Sequence, residues 1–99
     1  MEFDVVYILT IYDEYRKNFT TGYRDTKIPF APFPGLEILN SGIGFGVINR
    51  VSWDEESNLF RCYLEYEVKP LDIDDDIGFQ IKMAKNAGFS GFENIYENT

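Results

Sequence analysis

From Leu59 to Val68 the chain alternates strictly. Phe60, Cys62, Leu64, Tyr66 and Val68 stand against Arg61, Glu65 and Glu67, with Tyr63 pointing outward between Arg61 and Glu65. A period of two puts the apolar set on one face of an extended strand, so a helix is excluded and one buried sheet face is required. The preceding stretch, Ile43 to Trp53, supplies a partner. Ile43, Phe45, Val47, Val51 and Trp53 share a face, with Asn49 the single polar intruder. Between the two arms Asp54–Asn58 holds no apolar residue, which suits a hairpin loop of four or five residues. The pattern predicts an antiparallel hairpin over about 43–68.

The rest of the chain arranges itself around that hairpin. Phe3 to Tyr12 is apolar on both faces, which predicts a central strand. Phe19 to Lys27 reads as a weaker strand in which Gly22 marks a bend or bulge. Three prolines in "IPFAPFPG" forbid helix and exclude a central strand, so this segment should wrap an edge while Phe30 and Phe33 plug the core. Ile73, Ile77, Ile81, Ala84 and Gly88 follow helical spacing. Aspartates crowd the start of that run, Lys82 and Lys85 lie near its end, and Gly88 stands where a left-handed cap belongs, so a helix over about 73–87 is expected. The tail that follows, with Phe89, Phe92, Ile95 and Tyr96, is too apolar to hang free and should be pinned to the sheet by a turn or a short strand. The expectation is one domain, 1–99, of α+β class: a small, mostly antiparallel sheet of 3–5 strands with one C-terminal helix packed on one face.

Charge bounds the function. Seventeen acids against nine bases give a net charge of −8. Residues 54–76 hold nine of the acids and two of the bases, so nearly all the imbalance lies in that window. Phosphate backbones and anionic membranes call for clustered Lys and Arg, so direct nucleic-acid or membrane binding is not expected. A basic protein partner is favoured, because a concentrated field speeds encounter. The N-terminal residues carry Glu2 and Asp4 where a secretory signal would carry Lys or Arg, and the one cysteine cannot form an internal disulfide. Both observations point to a reducing, cytoplasmic setting.

The side-chain inventory excludes much chemistry. Histidine is absent, which removes the commonest general base and the commonest transition-metal ligand. Cys62 falls on the buried side of its strand and should pack as a small apolar group. "SGIGFGV" is glycine-rich but leads into a strand, so it lacks the helix N-terminus a phosphate loop requires. Within it, Gly44 and Gly46 leave one strand face bare, and together with Tyr63 they could line a small-molecule site.

The segment "LDIDDDIGFQIKM" packs Asp72, Asp74, Asp75 and Asp76 into five positions. A calcium loop of the EF-hand type needs Gly at its sixth position and Glu at its twelfth; Ile77 and Met83 stand there instead. No cofactor and no metal are expected. The leading expectation is a small acidic non-enzymatic protein of inhibitor, immunity or adaptor type. It would bind a basic protein through Asp54, Glu55 and Glu56 of the hairpin loop together with Asp72, Asp74, Asp75 and Asp76. A small-molecule binding module on the Gly44, Gly46 and Tyr63 face comes second, and a carboxylate-dependent enzyme third.

Overall fold

A computed structural model of the chain describes residues 2–40, 43–70 and 75–98, with the side chains of 40 and 43–45 left aside. Among the described residues, eight strands and one α-helix follow in order, with a 3-10 turn (Glu14–Arg16) between the first two strands: β1 (Phe3–Tyr12), β2 (Asn18–Ile28), β3 (Glu37–Asn40), β4 (Ile43–Val47), β5 (Arg50–Asp54), β6 (Leu59–Glu67), α1 (Ile77–Asn86), β7 (Ser90–Gly91) and β8 (Tyr96–Glu97). The main sheet has six strands in the order β5-β6-β1-β2-β7, with β8 also on β2, while β3 and β4 form a separate two-stranded sheet. All pairs are antiparallel except β1 with β6. The fold is α+β and mostly antiparallel, but the main sheet is wider than the 3–5 strands expected. The extra strands are β7 and β8, two residues each, too short to leave a periodic signal.

β1 is central, as its two apolar faces require, with β6 on one side and β2 on the other. Its odd residues Val5, Tyr7, Leu9 and Ile11 lie in register with Phe60, Cys62, Leu64 and Tyr66 of β6. These, with Ile48, Ala84, Phe89 and Phe92, form the core. Each large aliphatic side chain buried here contributes about 1.5–3 kcal/mol.

The hairpin differs from expectation in its first arm. The run from 43 to 53 is two strands, not one: β4 pairs with β3, and only β5 pairs with β6. The break falls at Ile48 and Asn49, where the Asn49 amide donates to the Tyr63 carbonyl (2.8 Å) and Ile48 drops into the core. Ile48 is off the 43–45–47 alternation, so the register flips across the break, leaving Val47 exposed.

The proline-rich segment is also inverted relative to expectation. Phe30 and Phe33 lean on each other (ring centroids 6.4 Å apart) and stay largely exposed, whereas Pro32 is buried.

α1 starts at Ile77 rather than near 73; residues 73 and 74 lie outside the described segments. Asp76 caps it, its carboxylate accepting from the Phe79 amide (2.7 Å). At the other end Gly88 takes φ +96, and the amides of Gly88 and Phe89 reach back to the carbonyls of Lys85 and Ala84, each at 3.0 Å. This is a Schellman closure, which needs a left-handed residue and hence favours glycine. The helix is not the last element, because this turn sends the chain back along the edge of β2. No helix among the described residues is long and apolar enough to cross a membrane.

Gly22 is not a bend. It sits mid-strand opposite Leu9, and the Phe92 ring lies where a Cβ on Gly22 would stand. Phe92 holds a left-handed backbone (φ +60), a conformation costing a non-glycine residue about 1–2 kcal/mol, which burial of its ring offsets.

Candidate binding face

Of the residues expected to form one acidic surface, the described ones fall into two separate groups. Asp54, Glu55 and Glu56 lie at the start of β6, while Asp75 and Asp76 sit near Tyr66 and Lys69 at its far end. Nine residues of strand separate the two groups by about 26 Å. Asp72 and Asp74 lie outside the described residues. The Asp54 carboxylate is held by two donors of Arg61 (3.1 and 2.8 Å) and by the Ser57 amide (3.1 Å). The Arg61 hydrogen bonds, then the Ser57 amide, hold it below the ordinary carboxylate range. Glu55 and Glu56 are exposed.

Asp75 is turned inward. Its carboxylate accepts from the Tyr66 hydroxyl (2.8 Å), the Lys69 amide (3.0 Å) and the Gln80 side chain (2.7 Å). Burial pushes its pKa up, but these hydrogen bonds together outweigh burial and leave it below the ordinary value. Asp75 is therefore a tie between the end of β6 and the start of α1. Among the described residues no three Asp, Glu, Cys or His side chains gather as metal ligands would.

At the second expected site, the Tyr63 ring already has a partner within the chain. The Arg50 guanidinium lies 4.2 Å from the centre of the Tyr63 ring. Gly46 takes φ +104, so its glycine serves the backbone. Gly44 belongs to β4, which pairs with β3 and not with the Tyr63 strand. Burial pushes the Cys62 thiol up to about 11, so it stays protonated in the core.

What the sheet does present is its second face. The even residues of β1 point there, in register with Lys27, Asp25, Tyr23, Thr21 and Phe19 of β2 and with Arg61, Tyr63, Glu65 and Glu67 of β6. α1 packs on the other face, through Ala84. Most charges on this open face are matched in pairs: Lys27 with Asp4 (3.4 Å), Arg61 with Asp54 (2.8 Å), and Arg16 with Glu65 and Glu67 (3.4 and 3.2 Å). Arg16 also lies 4.2 Å over the ring of Tyr12.

At the β2 margin the face opens into a slot of about 270 Å³, lined by Thr21, Tyr23, Gly91, Phe92, Glu93, Asn94 and Tyr96. Its origin is local. β7 and β8 pair with β2 at Gly22–Tyr23 and Asn18–Phe19, and residues 92–95 bow out between them. The bow is tied at both sides of its base: the Phe92 amide donates to the Thr21 carbonyl (3.0 Å), and the Thr20 hydroxyl to the Asn94 carbonyl (2.8 Å). Tyr23 forms one wall, leaning over Gly91, where a Cβ would lie 3.5 Å from its ring. Tyr96 forms the other wall, supported by Phe19 at 5.6 Å. Both tyrosines are about half exposed, at 53% and 52%. Thr21 lies between them, its hydroxyl 3.3 Å from that of Thr10. Glu93 has no ion-pair partner among the described residues.

Tyr23 falls within the strand expected over Phe19 to Lys27, so its place on the sheet, though not its role, is identifiable in the sequence. Those of Tyr96 and Glu93 are not, because the tail's apolar residues predict only that it is pinned down. Comparison of the chain with protein-family models, with curated proteins and with solved structures gives no match.

Proposed function

We propose that this chain is a non-enzymatic protein-binding domain that docks a basic segment of a partner on the open sheet face, seating one lysine or arginine side chain between Tyr23 and Tyr96 against Glu93. The observation that carries the proposal is the slot itself. Two half-exposed tyrosine rings and an unmatched carboxylate offer a cation both π faces and a counter-charge. The slot, of about 270 Å³, lies open to solvent, which suits one long side chain of a partner better than a free metabolite, whose sites enclose the ligand. The net charge of −8 supplies the steering, and the exposed acids Glu55, Glu56 and Asp76 act in that long-range role. The proposal retains a cytoplasmic setting, on the lone cysteine, and excludes nucleic acid and membrane as partners, on the charge argument.

A labelled pentapeptide with one lysine between glycines is expected to bind weakly and to lose affinity as salt rises. Glu93→Gln and Tyr23→Ala should each weaken it at least several-fold. Equal affinity in wild type and both variants contradicts the proposal, and a loss confined to an Asp76→Asn variant would return the contact to the helix end.

A further inference from the structure

The opposite margin of the sheet is an open strand edge. β5 pairs with β6 on one side and with no strand among the described residues on the other. It carries neither proline nor lysine, the usual guards of such an edge. We infer that β5 pairs antiparallel with β5 of a second copy about a two-fold axis at Ser52, joining the two main sheets into one.

The sequence of the strand, Arg-Val-Ser-Trp-Asp, is self-complementary in that register. The axis sets Arg50 opposite Asp54 of the second copy, twice, and Val51 opposite Trp53, twice. Residues opposite each other are then of the same parity. The amides and carbonyls that alternate outward from one edge therefore meet those of the other. The side chains agree with the backbone. Arg50, Ser52 and Asp54 lie on the open face, in register with Tyr63, Arg61 and Leu59 respectively, so the opposite charges meet on one face. Val51 and Trp53 lie on the helix-covered face.

Trp53 gives the pairing its apolar contribution. Its ring packs on Phe60 (4.9 Å), which packs on Phe3 (5.9 Å), yet Trp53 stays 51% exposed because the aromatic row stops at the edge. Pairing continues the row: Val51 of the second copy stands on the far side of the indole and covers it. The interface is isologous and closes on itself, so it yields a dimer rather than a fibre. The tyrosine slot lies at the β2 margin, so each copy keeps its slot at an outer end of the joined sheet.

Trp53 is the sole tryptophan, so its fluorescence reports this contact alone. Sedimentation equilibrium and tryptophan emission are measured together from about 0.1 to 200 μM on the full chain. A dimer is expected, with emission shifting to shorter wavelength and acrylamide quenching falling as the dimer fills. Arg50→Glu, which sets like charges opposite each other, and Ser52→Lys, which sets two lysines opposite each other at the axis on the open face, should weaken the dimer at least tenfold while circular dichroism shows the fold unchanged. A monomer at 200 μM overturns the inference. So does a dimer whose Trp53 emission does not follow association, or one that both variants leave intact.

Discussion

The two faces of the main sheet are made by the same strands, one residue out of phase, and they are put to opposite use. On the odd face of β1, Val5, Tyr7, Leu9 and Ile11 are sealed by the helix, Leu36, Ile38, Ile48 and the two phenylalanines that follow the helix. On the even face, Ile8, Thr10 and Tyr12 are only half-buried and meet Tyr23, Thr21 and Phe19. Apolar matching holds the first face together; ring contacts, threonine hydroxyls and charge pairs cover the second. If the open face binds as proposed, stability and binding can be altered separately, one face at a time.

The largest effect should come from the sealed face. Phe92→Ala removes a buried ring from the hollow above Gly22 and should cost about 3–5 kcal/mol in urea unfolding. Gly22→Ala attacks the same contact from the other side, by filling the hollow, and should cost at least about 1–3 kcal/mol. If either variant is as stable as wild type, the ring is not what closes the β2 margin.

Next comes the tie between sheet and helix. Asp75→Asn sets an amide donor against a carboxylate site whose partners are all donors, with a loss of about 1–3 kcal/mol at pH 7. The pH dependence has a definite sign. The folded carboxyl titrates below its unfolded value, so its stabilisation is complete above the ordinary aspartate range, near about 4, and is lost as pH falls through the lower folded value. The gap between wild type and Asp75→Asn should therefore narrow in unfolding curves taken below about pH 4. A gap constant down to pH 2.5 would mean that the charge contributes nothing.

The smallest effects on stability belong to the open face. Tyr23→Ala and Glu93→Gln should stay within about 0.5 kcal/mol of wild type. Tyr96→Ala, which gives up the ring pair with Phe19, should cost about 1 kcal/mol. A loss of several kcal/mol in any of the three would erase the division of labour between the faces.

The sealed face was legible because period-two patterning reports directly which side of a strand meets the core. β6 announces itself in this way, whereas β1, apolar on both faces, shows only that it is central, and the cap at Gly88 is marked by its glycine. Two elements misled for a physical reason. The run 43–53 keeps its apolar alternation across a break that only the Asn49 amide and the buried Ile48 reveal. In the proline segment, Phe30 and Phe33 are more apolar than Pro32, yet the backbone path buries the proline. The slot was the least legible part. It depends on two-residue strands and on a bow at 92–95 tied by backbone hydrogen bonds, and neither has a periodic signature. The aspartate run held the opposite lesson. Its sequence suggests both a helix start and a docking surface; Asp76 is indeed the helix cap, while Asp75 turns inward as a buried tie.

The most direct test of the open-face site is amide-resolved NMR of the labelled chain titrated with blocked lysine, and with blocked norleucine as the uncharged control. The account predicts that the amides of Thr21, Glu93 and Asn94 shift with lysine and not with norleucine, and that Glu93→Gln abolishes the response. Shifts that are the same for both compounds, or that appear around Asp76 and the 54–58 loop while the slot stays silent, would contradict it.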